Sequence, residues 1–120
     1  MERYYKNIVT SLELLSLKFE EQQKEFPEFV DVPFEVLDTF HNALLHLPKL
    51  IEENRFENHV IASLLRLQNI INFTASNPKF KDLEEEQFKV SDEWNKVRRM
   101  AKETLQIMGE YPATPSNGWK

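Results

Sequence analysis

The sequence contains no cysteine and only two glycines among its 120 residues. Without cysteine the chain can form no disulfide, no thiolate metal site and no cysteine nucleophile. Both glycines, Gly109 and Gly118, lie near the C-terminus. Tight β-hairpin turns need residues that tolerate positive φ, glycine above all, so residues 1–108 favour helices joined by simple loops. Glycine-rich phosphate loops and Gly-x-Ser-x-Gly nucleophile motifs are absent as well.

A long apolar run is also lacking. No segment approaches the roughly 20 apolar residues that a membrane-spanning helix needs. The charged residues Glu2, Arg3 and Lys6 stand where a signal peptide would have its apolar segment. These absences predict a cytoplasmic protein. The content of 41% hydrophobic and 29% charged residues is typical of a folded chain, and the length suits one domain.

Basic residues are in the minority. The chain has 15 Lys and Arg against 20 Asp and Glu, a net charge of −5. Residues 1–60 carry 12 acidic and 6 basic side chains, whereas residues 61–120 carry 8 and 9. Proteins that bind nucleic acid normally present a basic stripe that displaces counterions from phosphates. The charge distribution therefore disfavours direct binding to nucleic acid or to an anionic membrane.

Apolar residues recur at helical spacing in the first half of the chain. The first predicted helix covers residues 3–25, because one apolar stripe follows a period of 3.6 residues there. The second starts near Pro33 and is broken or kinked at Pro48, since an interior proline removes a hydrogen bond and clashes one turn back. Its predicted buried face consists of Phe34, Leu37, Phe40 or His41, Leu44 and Leu47.

Two further helices follow. The third covers residues 56–75, and the fourth begins at Ser91 or Asp92 as N-cap and ends before Gly109 as the C′ residue. A helical turn is also expected around residues 83–88. We predict an all-α fold, an antiparallel bundle of about four main helices over residues 1–110. An extended, proline-bearing tail over residues 111–120 is expected to follow it.

No pattern of catalytic or metal-binding residues stands out. His41 and His46 are five residues apart, so on a helix they point about 140° apart and cannot chelate one ion together. Serines and histidines are present without a local nucleophile signature. We therefore predict no catalytic site, no metal and no cofactor. Acid–base chemistry by helix-borne carboxylates remains a third hypothesis because the chain has 20 acidic residues.

Basic residues cluster in the fourth predicted helix at Lys96, Arg98, Arg99 and Lys102. Asp92 precedes Lys96 by four residues, and Glu103 follows Arg99 by four. Such i,i+4 pairs form on the helix surface. The spacing therefore predicts a solvent-facing cluster of ordinary ion pairs, with an anion-binding site as the alternative.

Residues 20–38 have a net charge of −6, because seven acidic residues face the single base Lys24. The acidic residues are Glu20, Glu21, Glu25, Glu28, Asp31, Glu35 and Asp38. Those at the end of the first predicted helix would oppose its dipole by about a few tenths of a kcal/mol each. A locally unfavourable choice is a reason to suspect function. The stretch predicts a surface that binds a basic protein partner, with ordinary solvated charge as the alternative.

Four segments resemble small bacterial immunity proteins, which are encoded beside polymorphic toxins, including those of contact-dependent growth inhibition. The segments are Leu67-Gln68-Asn69-Ile70-Ile71-Asn72-Phe73-Thr74, Asn77-Pro78-Lys79-Phe80, Ser91-Asp92-Glu93-Trp94 and Val97-Arg98-Arg99-Met100-Ala101-Lys102. The similarity covers roughly residues 56–109. It implies a cytosolic protein without enzymatic activity that binds one toxin domain tightly. Many such toxins are nucleases with basic clefts, which an acidic inhibitor would complement.

The sequence therefore predicts a non-enzymatic immunity protein that blocks the basic active-site cleft of a cognate toxin. The alternative is a helical adaptor or regulatory subunit that binds its partner through an apolar groove, with Pro48 and the tail residue Trp119 as its special features. Salt separates these hypotheses, because binding in an apolar groove is little weakened by ionic strength.

Overall fold

The computed structural model describes residues 2–76 and 85–110, and every regular element within them is a helix. The helices are α1 (Glu2–Ser16), α2 (Phe19–Gln23), α3 (Val32–Leu44), α4 (Leu47–Glu52), α5 (Asn58–Ala75), α6 (Glu85–Val90) and α7 (Asp92–Ile107). The four long helices α1, α3, α5 and α7 confirm the predicted all-α bundle. The predicted tail with Trp119 lies outside the described residues. Among the described helices, none has the length and hydropathy needed to cross a bilayer.

The bundle is built on α1 and α7, which pack on each other, while α3 covers α1 and α5 covers α7. Tyr5 at the start of α1 meets Glu110 just after α7, so these two helices run antiparallel. Tyr4 stacks on His46 just after α3, which makes α1 and α3 antiparallel too. The side chains between the helices form one core, whose largest fully buried members are Trp94, Phe40, Phe88, Ile8, Leu12, Leu15, Leu50, Leu64, Leu67, Ile71 and Leu105.

Several helix ends follow their sequence signals. Ser91 is the N-cap of α7, and its Oγ accepts a hydrogen bond of 3.2 Å from the backbone N–H of Trp94. Gly109 has a φ of 77°, the left-handed conformation expected of a C′ glycine. Pro48 lies in the first turn of α4, so the predicted break falls just before it.

The predicted inward position of Phe34 is wrong, because its side chain is 56% exposed. The core side of α3 is centred on Phe40, with Val32 and Val36 also buried. At 100° per residue, Phe34 lies about 120° around the helix from Phe40. Phe34 therefore belongs to the outer face of α3.

The first predicted helix, residues 3–25, is also wrong, because the chain forms two helices there. Lys18 is extended between them, with φ −66° and ψ 155°. Gln22 is fully buried, and its Nε2 donates a hydrogen bond of 3.0 Å to the Leu14 carbonyl. Nε of Arg98 donates one of 3.1 Å to the Leu17 carbonyl. These side chains satisfy carbonyls that a continuous helix would have bonded internally.

Arg98 is buried, with 7% of its surface exposed, and the prediction that it belongs to a solvent-facing cluster is wrong. Its guanidinium donates hydrogen bonds of 2.9 Å to the Phe88 carbonyl and 3.0 Å to Asn95 Oδ1. The guanidinium carbon lies 5.0 Å from the centre of the Phe88 ring. Burial lowers the pKa of Arg98, and the charge of Glu20 opposes that shift. One side chain thus joins α6, α7 and the α1–α2 junction.

Tyr5 links the start of α1 to Glu110, which follows α7. Its hydroxyl donates a hydrogen bond of 2.8 Å to Glu110 Oε2. The guanidinium carbon of Arg55 lies 4.5 Å from the centre of the Tyr5 ring, and the Phe56 ring centre lies 5.6 Å away. Burial, followed by the hydrogen bond to Glu110, raises the pKa of Tyr5 from 10.0 to about 12.

We expect the substitution Arg98→Met to lower the free energy of unfolding by about 2–4 kcal/mol, because the Leu17 and Phe88 carbonyls would lose their donor. Urea denaturation measures the loss. Arg99→Met is the matched control, since Arg99 is exposed on the same helix and should change the free energy by less than about 0.5 kcal/mol. Equal stability of the two variants would contradict the role of Arg98.

Tyr5 should also make stability depend on alkaline pH. Its pKa in the folded chain, about 12, exceeds the ordinary value of 10.0, so the folded chain holds the proton more tightly. This contribution is complete below about pH 10 and is lost as pH rises through about 12. The stability difference between the original protein and the Tyr5→Phe variant should therefore narrow over that range in pH-dependent denaturation. If Tyr4→Phe, used as the control, gave the same narrowing, the effect would not belong to Tyr5.

Candidate partner-binding surface

The acidic stretch forms the region from α2 to the outer face of α3, two helices that contact each other. The helix α2 carries Glu20 and Glu21, the connection carries Glu25, Glu28 and Asp31, and α3 carries Glu35 and Asp38. The first five are exposed, and the last two are partly exposed. We call these seven residues the acidic surface.

The expected conflict with a helix dipole does not exist for Glu20 and Glu21. Glu20 and Glu21 lie in the first turn of α2, where negative charge is favourable to the helix dipole. Glu25 lies beyond the end of α2. Because it directly follows the C-cap Lys24, Glu25 is the one member of the acidic surface that is still close to a helix C-terminus. The case for this surface therefore depends on which of its carboxylates have no cationic partner among the described residues.

Two members of the acidic surface have cationic partners within the chain. Glu20 Oε2 lies 3.4 Å from Lys89 Nζ, which links α2 to α6, and Glu21 Oε2 lies 3.2 Å from Lys24 Nζ. A hydrogen bond with the backbone of Glu20 itself, and then Lys89, lowers the pKa of the Glu20 carboxyl. These exposed pairs contribute little to stability, but they partly neutralise the α2 end of the surface.

Two more members of the acidic surface accept hydrogen bonds from nearby residues of α3. Asp31 is the N-cap of α3, and its Oδ1 accepts a hydrogen bond of 3.2 Å from the backbone N–H of Phe34. Asp38 Oδ2 accepts one of 3.2 Å from Asn42 Nδ2, one turn further along the helix. Neither partner is a cation, so these hydrogen bonds bring no opposite charge to either carboxylate.

The remaining three members are Glu25, Glu28 and Glu35. Within residues 2–76 and 85–110, none of the three forms an ion pair. Glu25 and Glu28 lie in the connection before α3, and Glu35 lies in the first turn of α3. Within the acidic surface, the negative charge without a cationic partner among the described residues therefore lies at the α2–α3 connection and the first turn of α3.

Sequence reasoning missed the aromatic side chains at this surface. Phe29, in the α2–α3 connection, is 89% exposed, and Phe34 is 56% exposed. By contrast Phe26 and Val30, on either side of Phe29, pack against the core. No periodicity in the segment distinguishes the outward phenylalanine from the inward one. The only available signal was that Phe29 directly follows Glu28 within a strongly acidic stretch.

An apolar groove of about 430 Å³ lies where the end of α3 and α4 meet α5. Its lining residues are Leu44, Leu47, Pro48, Ile51, Glu52, Leu65 and Gln68. Ile51 and Leu65 are among the exposed large hydrophobic residues of the molecule. The predicted special role of Pro48 thus has a physical counterpart, because its ring forms part of the groove wall.

The histidines are arranged without a shared ligand position. The His46 ring stacks on Tyr4 with ring centres 3.8 Å apart. His46 also lines a polar cavity of about 360 Å³ between α1 and α3, with Asn7, Thr10 and Asn42. Among the described residues, no group of three or more His, Asp or Glu side chains is placed to hold a metal ion.

The fold and surface define a helical-bundle protein with an acidic, aromatic-bearing face and a separate apolar groove. No family model matches this chain, and comparisons with curated proteins and with solved structures find no match. Any assignment of function therefore depends on the geometry and charge of these two surfaces, together with the resemblance carried by residues 56–109.

Proposed function

We propose that this chain is a non-enzymatic immunity protein that neutralises a cognate bacterial toxin by covering its basic active-site cleft. The observation that carries the proposal is the acidic surface, with its net charge of −6 over residues 20–38. Three of its members, Glu25, Glu28 and Glu35, form no ion pair with any residue that the structure describes. The resemblance to immunity proteins supports the same class.

The proposed mechanism is steric exclusion guided by charge. A nuclease cleft is basic because it must hold phosphates, so its field attracts a negative surface and raises the rate of encounter by roughly 10- to 1000-fold. Once the acidic surface covers the cleft, the substrate has no access to it. The chain needs no reactive group of its own for this role.

The partner can be identified by capture of the tagged protein from its native cells, with elution along a salt gradient and mass spectrometry. A single stoichiometric basic protein that is released only at high salt supports the proposal. Partners that bind without regard to salt would count against it, because a charge-driven interface is screened over about 8–10 Å at ordinary ionic strength.

Reversing the unpaired charges should slow association with the captured toxin. We expect the triple substitution Glu25→Lys, Glu28→Lys and Glu35→Lys to lower the association rate constant by about 10- to 100-fold at low salt and to flatten its salt dependence. Stopped-flow or surface plasmon resonance measures both quantities.

The matched control carries Glu53→Lys, Glu57→Lys and Glu103→Lys, three exposed acidic residues outside the acidic surface. Both variants change the net charge by the same amount. If the two variants slowed association equally, the overall charge of the molecule and not the acidic surface would steer the toxin.

A second candidate function is favoured by the apolar groove. Its lining by Leu44, Leu47, Ile51 and Leu65 would suit the apolar stripe of a partner helix. In that case the chain would act as a helical adaptor or regulatory subunit, and the acidic surface would serve only to keep it soluble.

The substitution Leu65→Glu separates the two functions. Leu65 is partly exposed, so the fold should tolerate the change. An adaptor should lose at least about tenfold in affinity for its captured partner at both low and high salt, because the charge would remain unpaired in an apolar contact. An immunity protein that binds through the acidic surface should keep its affinity. Isothermal titration calorimetry at two salt concentrations decides between these results.

A further inference from the structure

Phe29 is held in its outward position by the residues around it. Phe26 and Val30 are packed against the core, and the backbone N–H of Val30 donates a hydrogen bond of 3.3 Å to the Pro27 carbonyl. Asp31 then caps α3. The connection is therefore fastened on both sides of the one ring that is 89% exposed. A side chain presented in this way loses little further freedom when it binds.

The surroundings of Phe29 restrict the kind of pocket that can receive it. Glu28 is its neighbour, and Glu25 and Asp31 belong to the same connection. A purely apolar pocket would have to desolvate these carboxylates without compensation, which is costly. The complementary pocket therefore combines a flat apolar slot with basic walls.

Clefts that hold single-stranded nucleic acid have this combination. They contact phosphates with basic residues and stack unpaired bases against aromatic or planar side chains. Duplex-binding surfaces contact the phosphates of stacked base pairs and need no slot for a free ring. A phenyl ring among carboxylates thus matches the chemical pattern of a base among phosphates.

We propose that Phe29 is the anchor of the complex and that its ring occupies the slot in which the toxin stacks an unpaired base of a single-stranded substrate. This inference rests on the proposed function. Phe34, on the adjoining outer face of α3, supplies a second ring at the edge of the contact. The toxin is accordingly a nuclease that cleaves single-stranded RNA or DNA.

The anchor and the charges act on different rate constants. Long-range charge determines the association rate, whereas a buried aromatic anchor determines how slowly the complex dissociates. Phe29→Ala should therefore raise the dissociation rate constant of the toxin complex by about 30-fold or more, the scale of an interface hot spot, and leave the salt dependence of association unchanged.

The test is a substitution series at Phe29, measured by surface plasmon resonance with the captured toxin. Phe29→Tyr should stay within about threefold of the original dissociation rate, because a base slot accepts a planar ring, while Phe29→Leu should dissociate at least about tenfold faster. Phe73→Ala is the matched control, since Phe73 is 72% exposed on α5, outside the acidic surface. It should have no effect.

Other results would contradict separate parts of the proposal. Equal dissociation rates for Phe29→Leu and Phe29→Tyr would overturn the base slot, and an unchanged rate for Phe29→Ala would overturn the anchor. A toxin without activity on single-stranded substrate would overturn the inference as well. Normal association of the Glu25, Glu28 and Glu35 triple variant would instead refute the proposed function, whatever the Phe29 series shows.

Discussion

The packing of α6, α7 and the α1–α2 junction depends on the hydrogen bonds that the Arg98 guanidinium donates. It binds the Leu17 and Phe88 carbonyls from within α7, and it stacks on the Phe88 ring. A buried cation is expensive unless its donors are matched, so the surrounding chain must supply acceptors at fixed positions. The Leu17 carbonyl is available only because α1 ends at Ser16. Arg98 therefore holds the junction between α1 and α2 against α7, close to the start of the acidic surface.

The sequence predicted the long helices because each needs only local information. Apolar spacing located α1, α3, α5 and α7, and residues such as Ser91 and Gly109 mark helix ends through their own side chain or backbone. The break between α1 and α2 was missed because the Leu17 carbonyl that it frees is bound by Arg98, 81 residues away in the chain. Residues 16–19 contain neither proline nor glycine to signal an interruption, and the good helix formers Leu17 and Lys18 favoured continuity.

The candidate site could be predicted only in part. Composition located the acidic stretch, but it could not distinguish Glu20, which pairs with Lys89, from Glu28, which has no cation within the described residues. That distinction depends on the packing of α6 beside α2. The exposure of Phe29 could not be predicted from the sequence for a similar reason. Phe26 packs against the core and Phe29 does not, and only the tertiary structure makes that difference.

Residues that do not stabilise the fold are the ones available to bind a partner, and Phe29 and Glu28 are two such residues. Burying a phenylalanine is worth roughly 1.5–3 kcal/mol, a sizeable part of the 5–15 kcal/mol that stabilises a domain of this size. The fold obtains part of that gain from Phe26, which is partly buried, and almost none from Phe29, although both lie in one fastened connection. The carboxylate of Glu28, beside Phe29, likewise forms no ion pair with the rest of the described chain. The exposed ring of Phe29 and the charge of Glu28 therefore lie side by side without stabilising the fold. A partner that buries the ring gains affinity, and a partner of opposite charge gains a faster rate of encounter.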